Sequence, residues 1–120
     1  MRNTIENKSF LFAVRIAKLC RYLQEEKKEY ILSKQLLRSG TSIGANIAES
    51  QQAQSRADFI SKLNISLKEA VETNYWIRLL HAAEYLNETE FHSILSDCRE
   101  LEKMLTSIIK TSRDVSQKSS

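Results

Sequence analysis

"RSGTSIGANIAES", Arg38 to Ser50, holds both glycines of a 120-residue chain that has no proline. A phosphate-cradling loop would need a glycine-rich turn after a strand, then a lysine and a hydroxyl residue at fixed spacing. No lysine follows "GTSIGAN", and no strand-like run precedes it. A helix fits the spacing directly. Gly40, Gly44 and Ala48 recur at i, i+4 and i+8, so they line one face, with Ser39 and Thr41 as small neighbours. Each glycine inside a helix costs about 1 kcal/mol relative to alanine, which is sensible only where another helix comes close. The stretch therefore predicts a helix-packing groove flanked by Leu32, Leu36, Ile43 and Ile47. A helix that breaks at Gly40 is the competing reading.

Outward from this groove the chain reads as four amphipathic helices. The first runs from about Thr4 to Gln24, with Ile5, Phe12, Ile16, Leu19, Cys20 and Leu23 on one stripe and Arg15, Lys18 and Arg21 opposite. The charged run "EEKKE" breaks the pattern and predicts a turn. Helix two starts near Ser33 as N-cap and continues to about Ala53. Helix three opens on "SRAD", where Ser55 caps and Asp58 reaches back toward the Ser55 amide, and runs to about Tyr85. Its main stripe is Phe59, Ile60, Leu63, Leu67, Ala70, Val71 and Ile77. A second apolar set, Tyr75, Trp76, Leu79, Leu80 and Ala83, lies on its other side. In helix four Asn87 and Glu90 form a capping box ahead of the stripe Phe91, Ile94, Leu95, Cys98, Leu101, Leu105 and Ile108. The expected fold is all-α, an antiparallel up-down-up-down four-helix bundle. Residues 1–112 make one domain, and 113–120, which lack periodicity, make a frayed tail.

Composition excludes several classes of function. "FLFAV" near the N-terminus is apolar, but Arg15, Lys18 and Arg21 follow at once, and no run approaches the roughly 20 residues of a membrane span. A cytoplasmic protein with no membrane partner is expected. Cys20 and Cys98 stand alone, without CxxC spacing, and His81 and His92 have no metal-ligand spacing, so no metal or cofactor is expected. Ser39 and Ser42 lack a nucleophile elbow, and no base is placed beside an orienting group. The chain reads as a non-enzyme.

Polar residues point elsewhere. Asn46, Glu49, Glu69, Glu72, Asn74 and Arg78, with Arg38 and His81 beside them, predict a buried network that fixes helix register. The second apolar set of helix three predicts an oligomer interface at Tyr75, Trp76 and Leu79. The net charge is +3, a modest excess. Arg15, Lys18, Arg21, Lys27, Lys28, Lys34 and Arg38 are candidate contacts to nucleic acid. Only Tyr22 and Tyr30 interleave with them, so binding would follow the phosphate backbone and depend on salt.

"RSGTSIGANIAES", followed by "DFISKLNISLKEAVETNYWIRLL", resembles the 23S rRNA intervening-sequence protein family across Leu36 to Leu80. The pairs Arg-Ser, Ser-Ile, Asn-Ile-Ala-Glu, Lys-Glu-Ala and Tyr-Trp carry the resemblance. It implies a four-helix bundle that assembles as a ring-like homopentamer, similar to the accessory proteins of diversity-generating retroelements, which are basic and work with a reverse transcriptase and nucleic acid. Two functions follow as expectations. One is an oligomer that associates with RNA or DNA, RNA above all, through the backbone. The alternative is a scaffold whose ring docks a protein partner such as a reverse transcriptase.

Overall fold

A computed structural model describes residues 4–118, with side chains through 115. Four helices follow one another: α1 (Ile5–Glu25), α2 (Leu32–Ser50), α3 (Arg56–Ala82) and α4 (Glu88–Lys118). Connections of five or six residues turn each helix back along its predecessor. α1 packs on α2, α2 on α3 and α3 on α4, and a sparser α4–α1 contact closes the square. The bundle is 53 Å long, and α4 alone, at 1.5 Å per residue, runs nearly that length.

The core follows alternating steps of three and four. In α2 it takes Ser33, Leu36, Gly40, Ile43, Ile47 and Ser50, and in α3 Leu63, Ser66, Ala70, Thr73, Ile77 and Leu80. This spacing keeps one seam facing the neighbouring helices. The expected α3 stripe changes in one respect, because Val71 is 53% exposed and the hydroxyl residues Ser66 and Thr73 lie inside instead. Ser66 donates to Ile43 O of α2 at 2.8 Å, and Thr73 Oγ1 lies 2.9 Å from Ser39 Oγ. A small hydroxyl with a partner across the seam fits where a valine could not satisfy the facing oxygen. Near the end of α4, Ile109 rather than Ile108 is buried, alongside Ile94 further up the helix.

The glycines do not break α2. A Cβ at Gly40 would lie 2.8 Å from Ile16 Cγ2, and one at Gly44 would lie 3.2 Å from Ser9 O. The helix that needs their room is therefore α1. Ala48, the third small residue of the face, is exposed.

The ends differ from expectation in instructive ways. Ser33 does not cap α2. Instead Glu29 accepts from the amides of Ile31, Leu32 and Ser33, the last at 2.7 Å. A carboxylate placed ahead of the helix reaches three orphan donors, more than a serine hydroxyl can. Ser55 caps α3 as expected, but Asp58 reaches the Gln54 amide, not that of Ser55. Asn87 and Glu90 form the predicted reciprocal box. α2 stops at Ser50 and α3 at Ala82, earlier than their apolar patterns imply. With no glycine at the turns, Lys28 (φ 55°) and Glu84 (φ 69°) take the left-handed conformation. At the other end, residues 113–118 prolong α4 where a frayed tail was expected, and 119–120 lie outside the described residues.

Candidate functional site

The expected cations separate into two groups. Arg15 spends its charge within the fold: Nη1 lies 2.5 Å from Asp97 Oδ2, and Nη2 donates to Ser93 Oγ at 3.0 Å. Arg38 bridges Glu69 at 3.1 Å and Glu72. Lys18, Arg21, Lys27, Lys28 and Lys34 are exposed and make no ion pair among the described residues. They occupy the last turns of α1, the connecting turn and the first turn of α2, so they gather at one end of the bundle. Tyr22, Tyr30 and Ile31 are exposed beside them, and the acids Glu25 and Glu26 partly offset their charge.

Glu29 holds this end in shape. It is 8% exposed. Burial pushes its carboxyl up, but the amides of Leu32, Ser33 and Ile31 together outweigh burial and hold it below the ordinary value. Next to it, burial and then the Glu29 charge push the Cys20 thiol up to about 12. Cys20 donates to Ser33 O at 3.2 Å and behaves as a small core residue. Cys98, raised to about 12 by burial and then Glu102, donates to Ala70 O in the same way.

The opposite side of this end is acidic. A cleft of about 670 Å³ between the end of α1 and the α3–α4 turn is lined by Tyr22, Lys27 and His81 along with Glu84, Glu88 and Glu90. His81 stacks on Phe91 at 3.8 Å, and its Nε2 lies 2.5 Å from Glu88 Oε1, while His92 Nε2 lies 3.2 Å from the other oxygen. The hydrogen bond from His81, then its charge, lowers the Glu88 pKa. The two sides of this end therefore differ in the sign of their field. Spacing within α4 could show the Glu88–His92 pair, but not His81, which the α3–α4 connection brings to Glu88 from another helix.

The expected buried network lies at the surface or half-buried. Arg38, Glu69 and Glu72 form an ion-pair cluster on the α2–α3 seam, where Trp76 Nε1 also donates to Glu72 at 2.9 Å. Asn74 donates to Glu102 at 2.9 Å and accepts from exposed Arg78 at 2.8 Å. Asn46 donates within its own helix, to Ser42 O, and exposed Glu49 lies 4.0 Å from Lys62. Long charged side chains keep their heads in water, and apart from the capping carboxylate of Glu29 the interior polar positions go to serine and threonine. Among the described residues no buried side-chain nitrogen or oxygen lacks a partner.

The expected interface set divides as well. Trp76 packs against the core and Leu79 is half-buried, whereas Tyr75 is 49% exposed with its ring edge-on to Trp76. Val71 lines a hollow of about 570 Å³ between α3 and α4, together with Leu67, Lys103, Thr106 and Lys110 among others, and Tyr75 is exposed one turn further along α3. A second apolar face was missed. Phe10 (66% exposed), Leu11 and Val14 project from α1, and Phe10 borders a hollow of about 430 Å³ floored by Ala13, Gly44, Ala45 and Ala48. The available signal was "SFLFAV", whose consecutive apolar residues cannot all fit on one helix face. No helix among the described residues is long and apolar enough to cross a membrane.

The model of a family described as 23S rRNA-intervening sequence protein matches residues 1–107. The chain is also similar to a crystal structure from Bacteroides thetaiotaomicron VPI-5482, described as a protein with unknown function from the S23 ribosomal protein family. The two are 58% identical over 89% of this chain and 99% of that one, with a TM-score of 0.88. No curated protein matches the chain.

Proposed function

The chain belongs to the 23S rRNA-intervening sequence protein family, and from that premise we propose that it acts without catalysis, as a homo-oligomer that holds the phosphate backbone of nucleic acid. RNA is the favoured ligand and DNA the lesser one. The observation that carries this reading is the gathering of Lys18, Arg21, Lys27, Lys28 and Lys34, free of internal ion pairs, at the α1–α2 end. One copy of net charge +3 is a weak phosphate binder. The ring of five that the resemblance implies would carry about +15, five times that value, and would repeat the basic end around its rim.

Self-association is supported by the two exposed apolar faces, one on α1 and one around Val71 and Tyr75. The same faces favour a second reading, a scaffold that docks a protein partner.

Salt separates the two. Affinity for a labelled single-stranded RNA, followed by fluorescence anisotropy from 50 to 200 mM salt, should fall steeply, with a log–log slope of about −0.7 for each phosphate neutralised. Replacing Lys18, Arg21, Lys27 and Lys28 together by glutamine should flatten that slope for every RNA sequence tried. A flat slope in the wild type, or binding indifferent to the four changes, leaves the scaffold.

A further inference from the structure

Tyr30 and Ile31 are spent on nothing inside the fold. Ile31, 75% exposed, is the most exposed large apolar residue among those described, and Tyr30 beside it is 49% exposed. Neither belongs to the core. Ile31 stands at the N-cap of α2, but its side chain caps no amide, a task that falls to Glu29. Burial of apolar surface is what stabilises a fold, so two adjacent large apolar residues left in water point to a partner outside it.

The backbone that carries them is fixed on both sides. Before Tyr30, the Glu29 amide donates to Leu23 O of α1 at 3.0 Å. After it, the Glu29 carboxylate accepts from the amides of Ile31, Leu32 and Ser33, and Ser33 Oγ donates to Glu29 O at 2.8 Å. A backbone tied in this way loses little freedom when its side chains bind. Lys27 and Lys28 precede the pair and Lys34 follows it by one helical turn, all exposed and without ion pairs among the described residues. The exposed acids Glu25 and Glu26 stand further back, at the end of α1.

A ring and a branched chain set among lysines match a polyanion that also exposes flat apolar surface. Single-stranded nucleic acid does both, since its phosphates meet the lysines and its unpaired bases present their faces, whereas a duplex keeps those faces stacked inside. An anionic bilayer is the other such surface, but lipid binding scales with the apolar area inserted, and two side chains supply little. We propose that Tyr30 is a stacking platform for an unpaired base, with Ile31 packed beside it, so that the α1–α2 tip selects single strands over duplex. The inference rests on the phosphate binding of the proposed function and adds the form of nucleic acid that is held. Stacking tolerates every base, so it brings no sequence preference.

Fluorescence anisotropy with one labelled RNA, alone and annealed to its complement, tests this on the full chain. The wild type should bind the single strand more tightly. Tyr30→Ala should weaken single-strand binding about tenfold, the scale of one lost base–aromatic stack, and leave duplex affinity and the salt slope unchanged, because no phosphate contact is removed. Tyr30→Phe, which keeps the ring, should match the wild type. Equal losses on both forms of RNA, an unchanged single-strand affinity, or a loss with Tyr30→Phe as large as with Tyr30→Ala each overturn the stacking role. So does a fall in the mass of Tyr30→Ala by light scattering, which makes the tip a contact between copies. Pelleting with phosphatidylserine vesicles that Tyr30→Ala abolishes while RNA affinity holds overturns it in favour of a lipid surface. A wild-type affinity indifferent to salt overturns instead the phosphate binding beneath, and is seen before any variant is made.

Discussion

Helix α1 is held on its two sides by opposite means. Toward α2 it is seated by shape: Ile16, fully buried, occupies the space a Cβ on Gly40 would need, and the Ser9 backbone approaches Gly44. Toward α4 it is held largely by charge, through Lys8–Glu100 and Arg15–Asp97, all with substantial solvent access. Close-packed interiors transmit every added atom, whereas exposed ion pairs are screened and contribute about 0–1 kcal/mol each. The α1–α2 seam should therefore be intolerant of substitution and the α1–α4 seam forgiving.

The largest effect is expected at Gly40. Gly40→Ala gains about 1 kcal/mol of helix propensity, but its methyl would meet three atoms of Ile16 at 2.8–3.3 Å, which puts the overpacking at the upper end of about 1–3 kcal/mol, for a net loss of about 2 kcal/mol. Urea unfolding should show a net loss, and a variant as stable as the wild type would mean that the seam yields. Glu29→Gln, at the turn that delivers α2 to α1, comes next at about 1–2 kcal/mol near neutral pH, from weakened capping of three amides. The sign follows from its lowered pKa. Its contribution is complete above the unfolded value of about 4.3 and disappears as pH falls through the folded value. The gap between wild type and variant should thus close in acid, and a gap that persists at pH 2 would assign the loss to packing.

Gly44→Ala sharpens the contrast. Its methyl would meet a backbone oxygen at 3.2 Å, a milder crowding than at Gly40, so the propensity gain and the contact should nearly cancel, within about 1 kcal/mol. The smallest effect belongs to Arg15→Gln, which should change the free energy of urea unfolding by less than about 0.5 kcal/mol and lose even that in 1 M salt. A loss of 2 kcal/mol there would remove the distinction between the seams.

Much of the bundle was legible from the chain because helix periodicity is local. Apolar spacing located the four helices, "NETE" its capping box and "SRAD" its serine cap, since each is formed by residues within one turn of one another. The candidate site was read less well. Arg15 looked like a free cation until α4 supplied Asp97, whereas Arg38, read both as a nucleic-acid contact and as a partner of Glu69 and Glu72, takes the second role. Val71 looked like core because hydrophobicity alone cannot say which of two neighbouring stripes the adjacent helix will cover.

The sequence by itself determined that this protein is a family member built of four helices, with small residues at Gly40 and Gly44 that require a close neighbour. Only the tertiary structure decided that the neighbour is α1, that Ser39, Ser66 and Thr73 meet inside the α2–α3 seam, and that Lys18, Arg21, Lys27, Lys28 and Lys34 stand without ion pairs at one end. The physical reason is one of range. Propensity, periodicity and capping act over three or four residues, whereas the partner of a charge or the lid over an apolar stripe comes from whichever helix the turns bring alongside.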